Sequence, residues 1–283
     1  MTEPTPYLAR IDIYPIKSLD RVDLQKTRVL PSGALEHDRL WALFDGKGEF
    51  VNAKAYPTIH RIRAEIHLDA PAVSLRDESE CGLAPDTFGL SEDVSGFEKW
   101  LESYFGFPVA LKANTEQGFP DDTNSPGPTV ISTATLATVA GWFDFSVDEA
   151  RRRFRANLEV DGVPAFWEER LFGIEGTTIK FRIGDVIFEG VNPCMRCTVP
   201  PRNPWTGADD PTFTQRFRYF RRDTLPAWVV RERMTPYYRL SVNTRPHGDQ
   251  GGKTLNVGDA LEILEPLTVA KGAAAPPASQ LSA

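Results

Sequence analysis

Residues 192–199 read Asn-Pro-Cys-Met-Arg-Cys-Thr-Val and place two cysteines three positions apart in a chain of 283 residues. The preceding residues, 183–190, alternate apolar and polar side chains between glycines, a pattern that predicts a strand. Prolines flank the cysteine pair, at Pro193 and at Pro200-Pro201, so we expect an irregular loop there. Thiolates on a loop that a rigid strand holds in place suit metal binding or redox chemistry.

Residue types alone leave several interpretations of the cysteine pair open. The two sulfurs could simply pack as small apolar groups. A zinc site needs about four nitrogen or sulfur ligands, and the other candidates are Cys81 and four histidines without metal-binding spacing. A redox dithiol normally opens a helix, which lowers the pKa of its thiol. The prolines after Cys197 disfavour a regular helix at that position, so the dithiol is the weakest of the three.

Composition and charge bound the class of protein. The formal net charge is -7 and 41% of the residues are hydrophobic, as in an ordinary globular protein. No basic stripe dominates, so we expect no nucleic-acid partner. No stretch reaches the roughly 18 apolar residues of a membrane span, and the first residues lack a signal-peptide pattern. For that reason we expect no membrane partner. Since three cysteines do not form a disulfide framework, we also expect a cytoplasmic protein.

The hydrophobic patterns along the chain predict a mostly β fold with helical insertions, of the α+β class. Alternating apolar residues predict strands near residues 7–14, 22–30, 40–44, 62–68, 129–131, 154–160, 237–242 and 255–261. Helical spacing and capping residues predict helices over residues 95–105, 132–142, 147–153 and 212–222.

A polar segment over residues 113–128, rich in Asn, Gly, Pro and Asp, is the clearest candidate for a domain boundary. We therefore divide the chain into a first domain, 1–115, and a second domain, 116–267. The remaining residues, 268–283, are rich in alanine and proline, and we expect them to form a disordered tail.

The cysteine stretch, followed by Thr206-Gly207, resembles the MOSC domain of molybdenum-cofactor sulfurase-like proteins. Within that superfamily it is most similar to the mitochondrial amidoxime-reducing component and its bacterial relatives. Other motifs of that family stand at the expected positions: Tyr-Pro-Ile-Lys-Ser at 14–18, Asp-Arg-x-Trp at 38–41 and Phe-Arg-x-Asn at 154–157. The resemblance covers residues 7–265 and implies a small MOSC N-terminal β-barrel domain followed by a MOSC β-barrel. The cofactor would lie in the cleft between them, which is a usual place for ligands.

The resemblance also implies roles for particular residues. In that family the second cysteine of the pair ligates molybdenum, so Cys197 is the expected metal ligand and catalytic residue. A soft thiolate suits a thiophilic metal that a pterin dithiolene already holds. Lys17 and Ser18 are expected to reach the terminal phosphate of the molybdenum cofactor, and Arg39 can bind a phosphate bidentately. From the sequence, a simple contact of Arg39 with Asp38 is an equally good interpretation.

Two more pairs of residues are candidates for binding the cofactor. Arg155 and Asn157 share one face of the predicted strand and could bind a planar pterin or form a polar outer face; the family motif favours the pterin. Ser132 or Thr133 is expected to cap the helix over 132–142. A helix N-terminus with two hydroxyls can also bind an anion, although capping alone would explain these hydroxyls.

The function implied by the resemblance is that of a molybdenum-cofactor oxidoreductase that reduces small N-hydroxylated substrates, such as amidoximes or hydroxylamino bases. The chain lacks the four-cysteine ferredoxin spacing and any flavin or nicotinamide fingerprint. Electrons would therefore come from a separate ferredoxin-, cytochrome- or flavin-type protein. Asn203 stands where the family usually has Asp, and Trp205 replaces a small polar residue, so the substrate class stays open. The alternatives are a non-catalytic cofactor-binding or carrier protein and a general anion- or nucleotide-binding barrel.

Overall fold

The structure is a computed structural model that describes residues 5–80, 84–91 and 93–268. Cys81 and nearly all of the predicted tail, 268–283, lie outside the described residues. The strands are β1 (Tyr7–Ile13), β2 (Val22–Leu24), β3 (Lys26–Arg28), β4 (Trp41–Asp45), β5 (Ile62–His67), β6 (Ala72–Asp77), β7 (Asp86–Gly89), β8 (Val109–Ala113), β9 (Val130–Ser132), β10 (Leu158–Asp161), β11 (Thr177–Ile183), β12 (Val186–Met195), β13 (Arg239–Pro246), β14 (Thr254–Asn256) and β15 (Leu261–Thr268). The helices are α1 (Ser95–Phe105), α2 (Thr133–Phe143), α3 (Val147–Phe154) and α4 (Phe213–Asp223), with 3-10 turns at Pro57–Arg61, Trp167–Leu171 and Arg231–Met234.

An eight-stranded sheet forms the centre of the fold, in the order β15-β11-β12-β13-β9-β10-β1-β2. Only β9 and β10 run parallel within it, and the other neighbours are antiparallel. Leu8, Ile11 and Ile13 of β1 are fully buried in the core, and the pairing of β1 with β10 shifts between Leu8 and Arg10, which interrupts the regular alternation of its side chains. The predicted α+β class with mostly strands is confirmed. No helix in the described ranges is long and apolar enough to cross a membrane.

The expectation of closed β-barrels is wrong for the described part of the chain. The ladder of the central sheet begins at β15 and ends at β2 without joining its two edges. A single bridge between Tyr7 and Ala260 brings the start of β1 against the chain just before β15. Backbone hydrogen bonds join Leu8 to Gly258 and Asp259 there, but β2 pairs with β1 from Ile11 onward, so this contact does not extend into a ladder with β15.

Three small sheets complete the strands of the described residues: β4 with β8, β5 with β6 and β7, and β3 with β14. Helix α1 spans the predicted residues and buries Phe97 and Leu101. These two side chains belong to an apolar cluster that also contains Ile16, Trp41 and Val199. Val199, two residues beyond the cysteine pair, thus packs into the core of the first half of the chain. The cysteine stretch therefore lies where the two halves meet.

Two strand predictions near the cavity, and the loop predicted at the cysteine pair, differ from the structure. In the predicted strand 154–160, Phe154 ends α3, Arg155 is a left-handed C-cap with φ 49°, and the strand starts only at Leu158. In the predicted strand 183–190, Gly184, with φ 54°, lies in the hairpin turn between β11 and β12. Strand β12 continues through Cys194 to Met195, so the first cysteine lies on a strand and not in an irregular loop.

Candidate functional site

A cavity of about 600 Å³ lies at the meeting point of the two halves and contains both cysteines of the 192–199 stretch. Its walls come from segments that are distant in sequence, including residues 17–18, 34–39, 52–60, 117–129, 153–157, 192–199 and 233–243. Most of the residues singled out from the sequence lie here: Lys17, Ser18, Arg39, Arg155, Asn157 and Cys197.

The two cysteines have different surroundings within this cavity. Cys194 lies on β12, and its thiol accepts a hydrogen bond at 3.3 Å from Nη1 of Arg196. Cys197 follows the end of the strand, its carbonyl accepts a hydrogen bond at 3.2 Å from the Tyr238 hydroxyl, and its side chain packs at the edge of the first-half core. Both side chains are partly exposed. The thiol of Cys197 is therefore held at the cavity wall by backbone contacts on one side and apolar packing on the other.

Arg153 fixes the chain that follows Cys197. This arginine is almost fully buried, and its Nη1 donates hydrogen bonds of 2.7 Å to the carbonyls of both Pro200 and Arg202. Its other nitrogens donate to Glu149 at 2.9 and 2.6 Å. Arg202 in turn donates to the carbonyl of Ala53 in the first half of the chain. The position of Cys197 thus depends on a buried connection from α3.

Lys17 is buried at the cavity wall and is already paired. Its Nζ donates to the carbonyl of Phe119 at 2.8 Å and to Asp121 at 3.0 Å, and Asp121 also contacts Lys54 at 3.1 Å. Burial lowers the pKa of Lys17, although Asp121 opposes that effect. For Asp121, burial is outweighed by Lys17, Arg39 and Lys54, which hold the pKa of its carboxyl far below the usual range. An incoming anion would compete with Asp121 for these cations.

Arg39 and Arg155 both lie over the ring of Tyr14, with their guanidinium carbons 5.8 and 3.9 Å from its centre. Arg39 also pairs with Asp38, which is the contact that the alternative interpretation of the sequence predicts. It lines the cavity all the same. Arg155 donates at 2.8 Å to the carbonyl of Leu19 and forms no ion pair with any described residue. Burial lowers the pKa of Arg155. Arg155 is thus a cation at the cavity wall without an ion-pair partner among the described residues.

Ser18 and Asn157 line the cavity, but their side chains hold the backbone together. The hydroxyl of Ser18 accepts a hydrogen bond at 3.1 Å from the amide of Ala53. The side chain of Asn157 donates to the carbonyl of Asp12 at 3.1 Å and accepts from the amide of Thr129 at 3.2 Å. Asn157 therefore joins β1 to the chain before β9. A direct contact of either residue with a ligand stays a prediction.

Ser132 and Thr133 are not brought to the cavity wall. The hydroxyl of Ser132, fully buried, accepts the amide of Thr135 at 3.1 Å and caps α2. The hydroxyl of Thr133 lies 3.4 Å from the carbonyl of Val160, to which it donates. Thr135 donates onward to the buried Glu168 at 3.0 Å. Capping and local hydrogen bonds account for both hydroxyls, and their predicted contact with the cofactor has no support from position.

Asn203 and Trp205, the departures from the family pattern, do not line the cavity. The side-chain oxygen of Asn203 accepts the amides of Trp205 at 2.9 Å and Thr206 at 3.1 Å, which closes a tight turn. An aspartate could accept the same two bonds, so the exchange of Asp for Asn leaves this turn intact. The side chain of Trp205 lies under the guanidinium of Arg152 at 5.9 Å.

Several cavity residues were not singled out from the sequence, namely Lys54, His60, Arg153, Arg196, Arg233 and Arg239. Burial, together with nearby arginines led by Arg155, lowers the pKa of His60 to about 4, so this imidazole is neutral near pH 7. A cluster of Arg151, Arg152 and Arg153 next to the Phe-Arg-x-Asn motif is the only sequence signal for Arg153. The others come from turns and strand ends that only the tertiary fold brings together.

The chemistry of the cavity wall fits a ligand with negative charge. Among the described residues, eight lysines and arginines line the cavity against four aspartates and glutamates. This excess of positive charge occurs in a chain whose net charge is -7. Within the same ranges, the buried atoms Nε2 of His60, Oγ of Ser125 and Nε of Arg196 have no hydrogen-bond partner. These groups, beside two thiols, suit a phosphate-bearing cofactor with a thiophilic metal.

Comparison with known proteins places both halves of the chain in described families. Residues 5–104 match the MOSC N-terminal beta barrel domain, and residues 129–262 match the MOSC domain. A molybdenum cofactor sulfurase of Caenorhabditis briggsae is 25% identical over 236 residues, which is 76% of this chain and 32% of that protein. One of Drosophila grimshawi is 25% identical over 92% of this chain and 35% of that protein. A human molybdenum cofactor sulfurase is 24% identical over 65% of this chain and 25% of that protein.

The chain spans about a third of the length of the first two of these relatives. Among solved structures, a hypothetical protein overlaps 93% of this chain and 70% of its own with a TM-score of 0.36 and 11% identity, too low to support a fold assignment. The two domain matches together span most of the chain, and they follow each other in the order that the sequence motifs indicate. The chain therefore belongs to the MOSC family, with a MOSC N-terminal domain followed by a MOSC domain.

Proposed function

We propose that this protein is a molybdenum-cofactor oxidoreductase that reduces N-hydroxylated substrates, such as amidoximes or hydroxylamino bases. The observation that carries the proposal is the placement of Cys197 in one cavity with Lys17, Arg39 and Arg155. A single ligand can reach a soft thiolate and several cations there. Membership of the MOSC family, and relatives named molybdenum cofactor sulfurase, support a function linked to the molybdenum cofactor.

The residues that would hold the cofactor follow from their charge and position. Lys17, Arg39 and Arg155 would bind its phosphate by charge-assisted hydrogen bonds, and Cys197 would provide the thiolate ligand to the metal. When bound, the cofactor supplies a two-electron redox centre that can take the oxygen of an N–O bond. A negative phosphate beside Lys17 would favour the charged form of that lysine, against the effect of burial.

The overall reaction fixes what a partner must supply. Reduction of an N-hydroxy group to the corresponding N–H compound and water consumes two electrons and two protons. The sequence of this chain contains no motif for a cofactor that would deliver the electrons. We therefore propose a separate ferredoxin-, cytochrome- or flavin-type protein as the donor, with water as the ultimate source of protons.

A second candidate function is that of a non-catalytic carrier of the molybdenum cofactor. The relatives named above favour it, because their printed function concerns the cofactor itself and this chain corresponds to only a third of their length. A carrier would use the same cavity to bind the cofactor without turnover.

One experiment separates these functions. The protein would be produced in a host that makes the molybdenum cofactor, analysed for molybdenum, and assayed for benzamidoxime reduction with reduced methyl viologen as donor. Molybdenum together with turnover supports the reductase. Stoichiometric molybdenum without turnover of benzamidoxime or a hydroxylamino base supports the carrier. Absence of molybdenum from well-folded protein would contradict both and favour a general anion-binding site.

A further inference from the structure

Two arginines beside the cysteine strand have no role in the scheme above. Arg233, in the 3-10 turn Arg231–Met234, and Arg239, at the start of β13, both line the cavity. The register of β13 on β12 places Arg239 opposite Met195, which lies next to Cys194. Both arginines are thus fixed to the wall that carries the cysteines.

Both guanidinium groups bond to backbone carbonyls only. Arg233 donates to Gly173 at 2.9 Å and to Val191 at 3.2 Å, while Arg239 donates to Pro193 at 2.9 Å and to Thr235 at 3.1 Å. Neither forms an ion pair with a residue in the described ranges. Each guanidinium has five N–H donors, so both keep donors to spare for a ligand.

The local backbone explains why these side chains lie together. The pairing of β12 with β13 shifts between Gly190 and Asn192, and again between Pro193 and Met195. Such bulges leave strand groups unpaired and often lie next to active sites. The carbonyls of Val191 and Pro193, two residues apart on the strand, are separated by about 7 Å. The two arginines that donate to these carbonyls line the same cavity, so one ligand in it can contact both.

The charges around the pair are unbalanced. Burial lowers the pKa of Arg239, with Arg233 as the next contributor and the Cys194 thiol as the opposing group. Of the acidic groups that line the cavity, Asp38 pairs with Arg39, Asp121 pairs with Lys17 and Lys54, and Asp122 accepts a hydrogen bond from Asn243. Glu175, an exposed residue that also lines the cavity, forms no ion pair with a described residue. The two arginines thus present net positive charge to the cavity.

We propose that Arg233 and Arg239 bind an anionic group of the substrate, a carboxylate or a phosphate, so that the natural substrates are N-hydroxylated compounds with a negative charge. The inference rests on the proposed reductase function. A guanidinium pair recognises planar carboxylates or phosphates through two-point hydrogen bonds. Their attachment to the strand of Cys194 would hold that charge at a fixed distance from the reacting N–O group, which is how substrate-positioning residues favour a reaction.

The test compares a neutral and an anionic substrate of nearly the same shape, 4-carbamoylbenzamidoxime and 4-carboxybenzamidoxime. The cofactor-loaded protein would reduce both with reduced methyl viologen as the electron donor, and kcat/KM would be measured at low and high salt. We expect the carboxylate substrate to be preferred about tenfold or more at low salt, because a charge-assisted hydrogen bond contributes at that scale. Added salt should reduce the preference, since exposed charges are screened.

Variants assign the preference to the arginines. We expect Arg233→Gln and Arg239→Gln each to lower the ratio of the two kcat/KM values about tenfold, with the molybdenum content kept. Arg182→Gln is the matched control. Arg182 is exposed on β11, pairs with Glu262 at an N–O distance of 2.6 Å, and does not line the cavity. That control should keep the wild-type ratio.

Other outcomes overturn the inference. Equal kcat/KM for both substrates in the wild-type protein would do so even if the variants fail to fold. Loss of molybdenum in the arginine variants would assign the pair to the cofactor instead. If neither substrate is reduced, the reductase proposal fails. The anion site is then tested separately, by calorimetric measurement of the binding of the two compounds. Tighter binding of the carboxylate compound that depends on Arg239 would still support an anion site, and equal binding would exclude it.

Discussion

At the scale of single residues, the two cysteines are the sharpest case, because their chemistry is the same and their surroundings differ. Cys194 has a strand backbone and a guanidinium donor, Arg196, at 3.3 Å. Cys197 lies beyond the ladder, against the apolar core of the first half of the chain. A zinc site or a dithiol would need both sulfurs, whereas the proposed cofactor site needs Cys197 alone.

We predict that Cys197→Ala abolishes N-hydroxy reduction but retains much of the bound pterin, because the cationic contacts remain. We predict that Cys194→Ala keeps most of the activity and loses little stability, since one sulfur is a small volume. Turnover of benzamidoxime, pterin fluorescence after release, and circular dichroism would be measured on both variants. Equal loss of activity in two folded variants would exclude Cys197 as the sole ligand.

Arg39 gives a second prediction at this scale. We expect Arg39→Ala to bind the cofactor about ten- to hundredfold more weakly, since a hydrogen bond to a charged group contributes about 1.5–3 kcal/mol. The protein should stay folded, because Asp38 still accepts the amide of Tyr14 at 2.8 Å. The measurement is the cofactor content at limiting cofactor.

The matched control for Arg39 is Arg28→Ala. Arg28 is 61% exposed and approaches Glu36 at 3.8 Å only, so its removal should leave the cofactor content unchanged. The same cofactor content in Arg39→Ala and wild type would remove Arg39 from the site.

The sequence predicted the location of Arg155 and Asn157 better than their conformation. The period of a strand put both on one face, yet Arg155 adopts a left-handed backbone and Asn157 precedes β10. Both still line the cavity. A positive φ in a non-glycine residue has no sequence signal of its own, because it depends on the chain that packs around it.

At the scale of elements, α3 acts on the cysteine stretch through Arg153. The helix itself is predictable, since Ser146 caps it by accepting the amide of Glu149 at 3.0 Å. Its contact with residues 200–202 is not, because it joins parts of the chain that are 47 and 49 residues apart. The guanidinium of Arg153 also lies 4.1 Å from the ring centre of Phe145.

We predict that Arg153→Met destabilises the protein by about 3 kcal/mol or more, because Glu149 and two carbonyls lose their buried partner. The free energy of unfolding would be measured in urea. Cofactor content should also fall, since the segment after Cys197 loses its attachment. Arg222→Met is the control: Arg222 is 56% exposed and pairs with Asp223 at the surface, so its removal should leave the free energy of unfolding nearly unchanged. Equal stability of the two variants would contradict a structural role of Arg153.

Helices were easier to predict than strands in this chain, for a physical reason. Helices α1, α2, α3 and α4 carry their apolar spacing within a single segment, and α2 and α3 are also capped by the serine directly before them. Strand β12 was expected to end before Pro193, yet it continues because the ladder shifts at that position. Proline is tolerated in a strand at such a bulge, and the bulge depends on β13, which lies more than 40 residues away.

At the scale of the whole molecule, the family motifs located the cavity although the strand pairings could not be predicted. Strand β1 pairs with β10, and β3 pairs with β14, so that residues 26–28 lie beside residues 254–256. Periodicity shows which face of a strand is apolar but not which strand lies beside it. The buried polar cluster behind α2 is a further feature that only the fold assembles.

That cluster joins α2, the 3-10 turn Trp167–Leu171 and α4. Glu169 pairs with the fully buried Arg221, and Glu168 accepts the hydroxyl of Thr135 at 3.0 Å. Burial and the neighbouring Glu169 raise the pKa of Glu168 from 4.5 to about 7. The pKa of Asp12 is raised to about 6, also by burial, although Arg21 and Arg10 oppose it. Both carboxyls therefore titrate within the same range of pH.

The raised pKa of Glu168 makes the stability of the whole protein depend on pH. Below pH 4.5 this side chain is protonated in both the folded and the unfolded chain, so its favourable contribution is complete. Between pH 4.5 and 7 the unfolded chain loses the proton while the folded chain keeps it, and stability falls with rising pH. A pKa difference of this size lowers the free energy of unfolding at pH 8 by about 3 kcal/mol relative to its value below pH 4.5.

We predict that Glu168→Gln removes this part of the pH dependence, because an amide keeps an acceptor for Thr135 without a proton to lose. The free energy of unfolding, from urea titrations at pH 5 and pH 8, should fall less between these pH values in the variant than in the wild type. Because the pKa of Asp12 is also raised, part of the decrease in the free energy of unfolding remains in both proteins. Glu65→Gln, at a side chain that is 77% exposed, should behave as the wild type does. An unchanged difference between pH 5 and pH 8 in Glu168→Gln would show that this carboxyl is ionised in the folded protein.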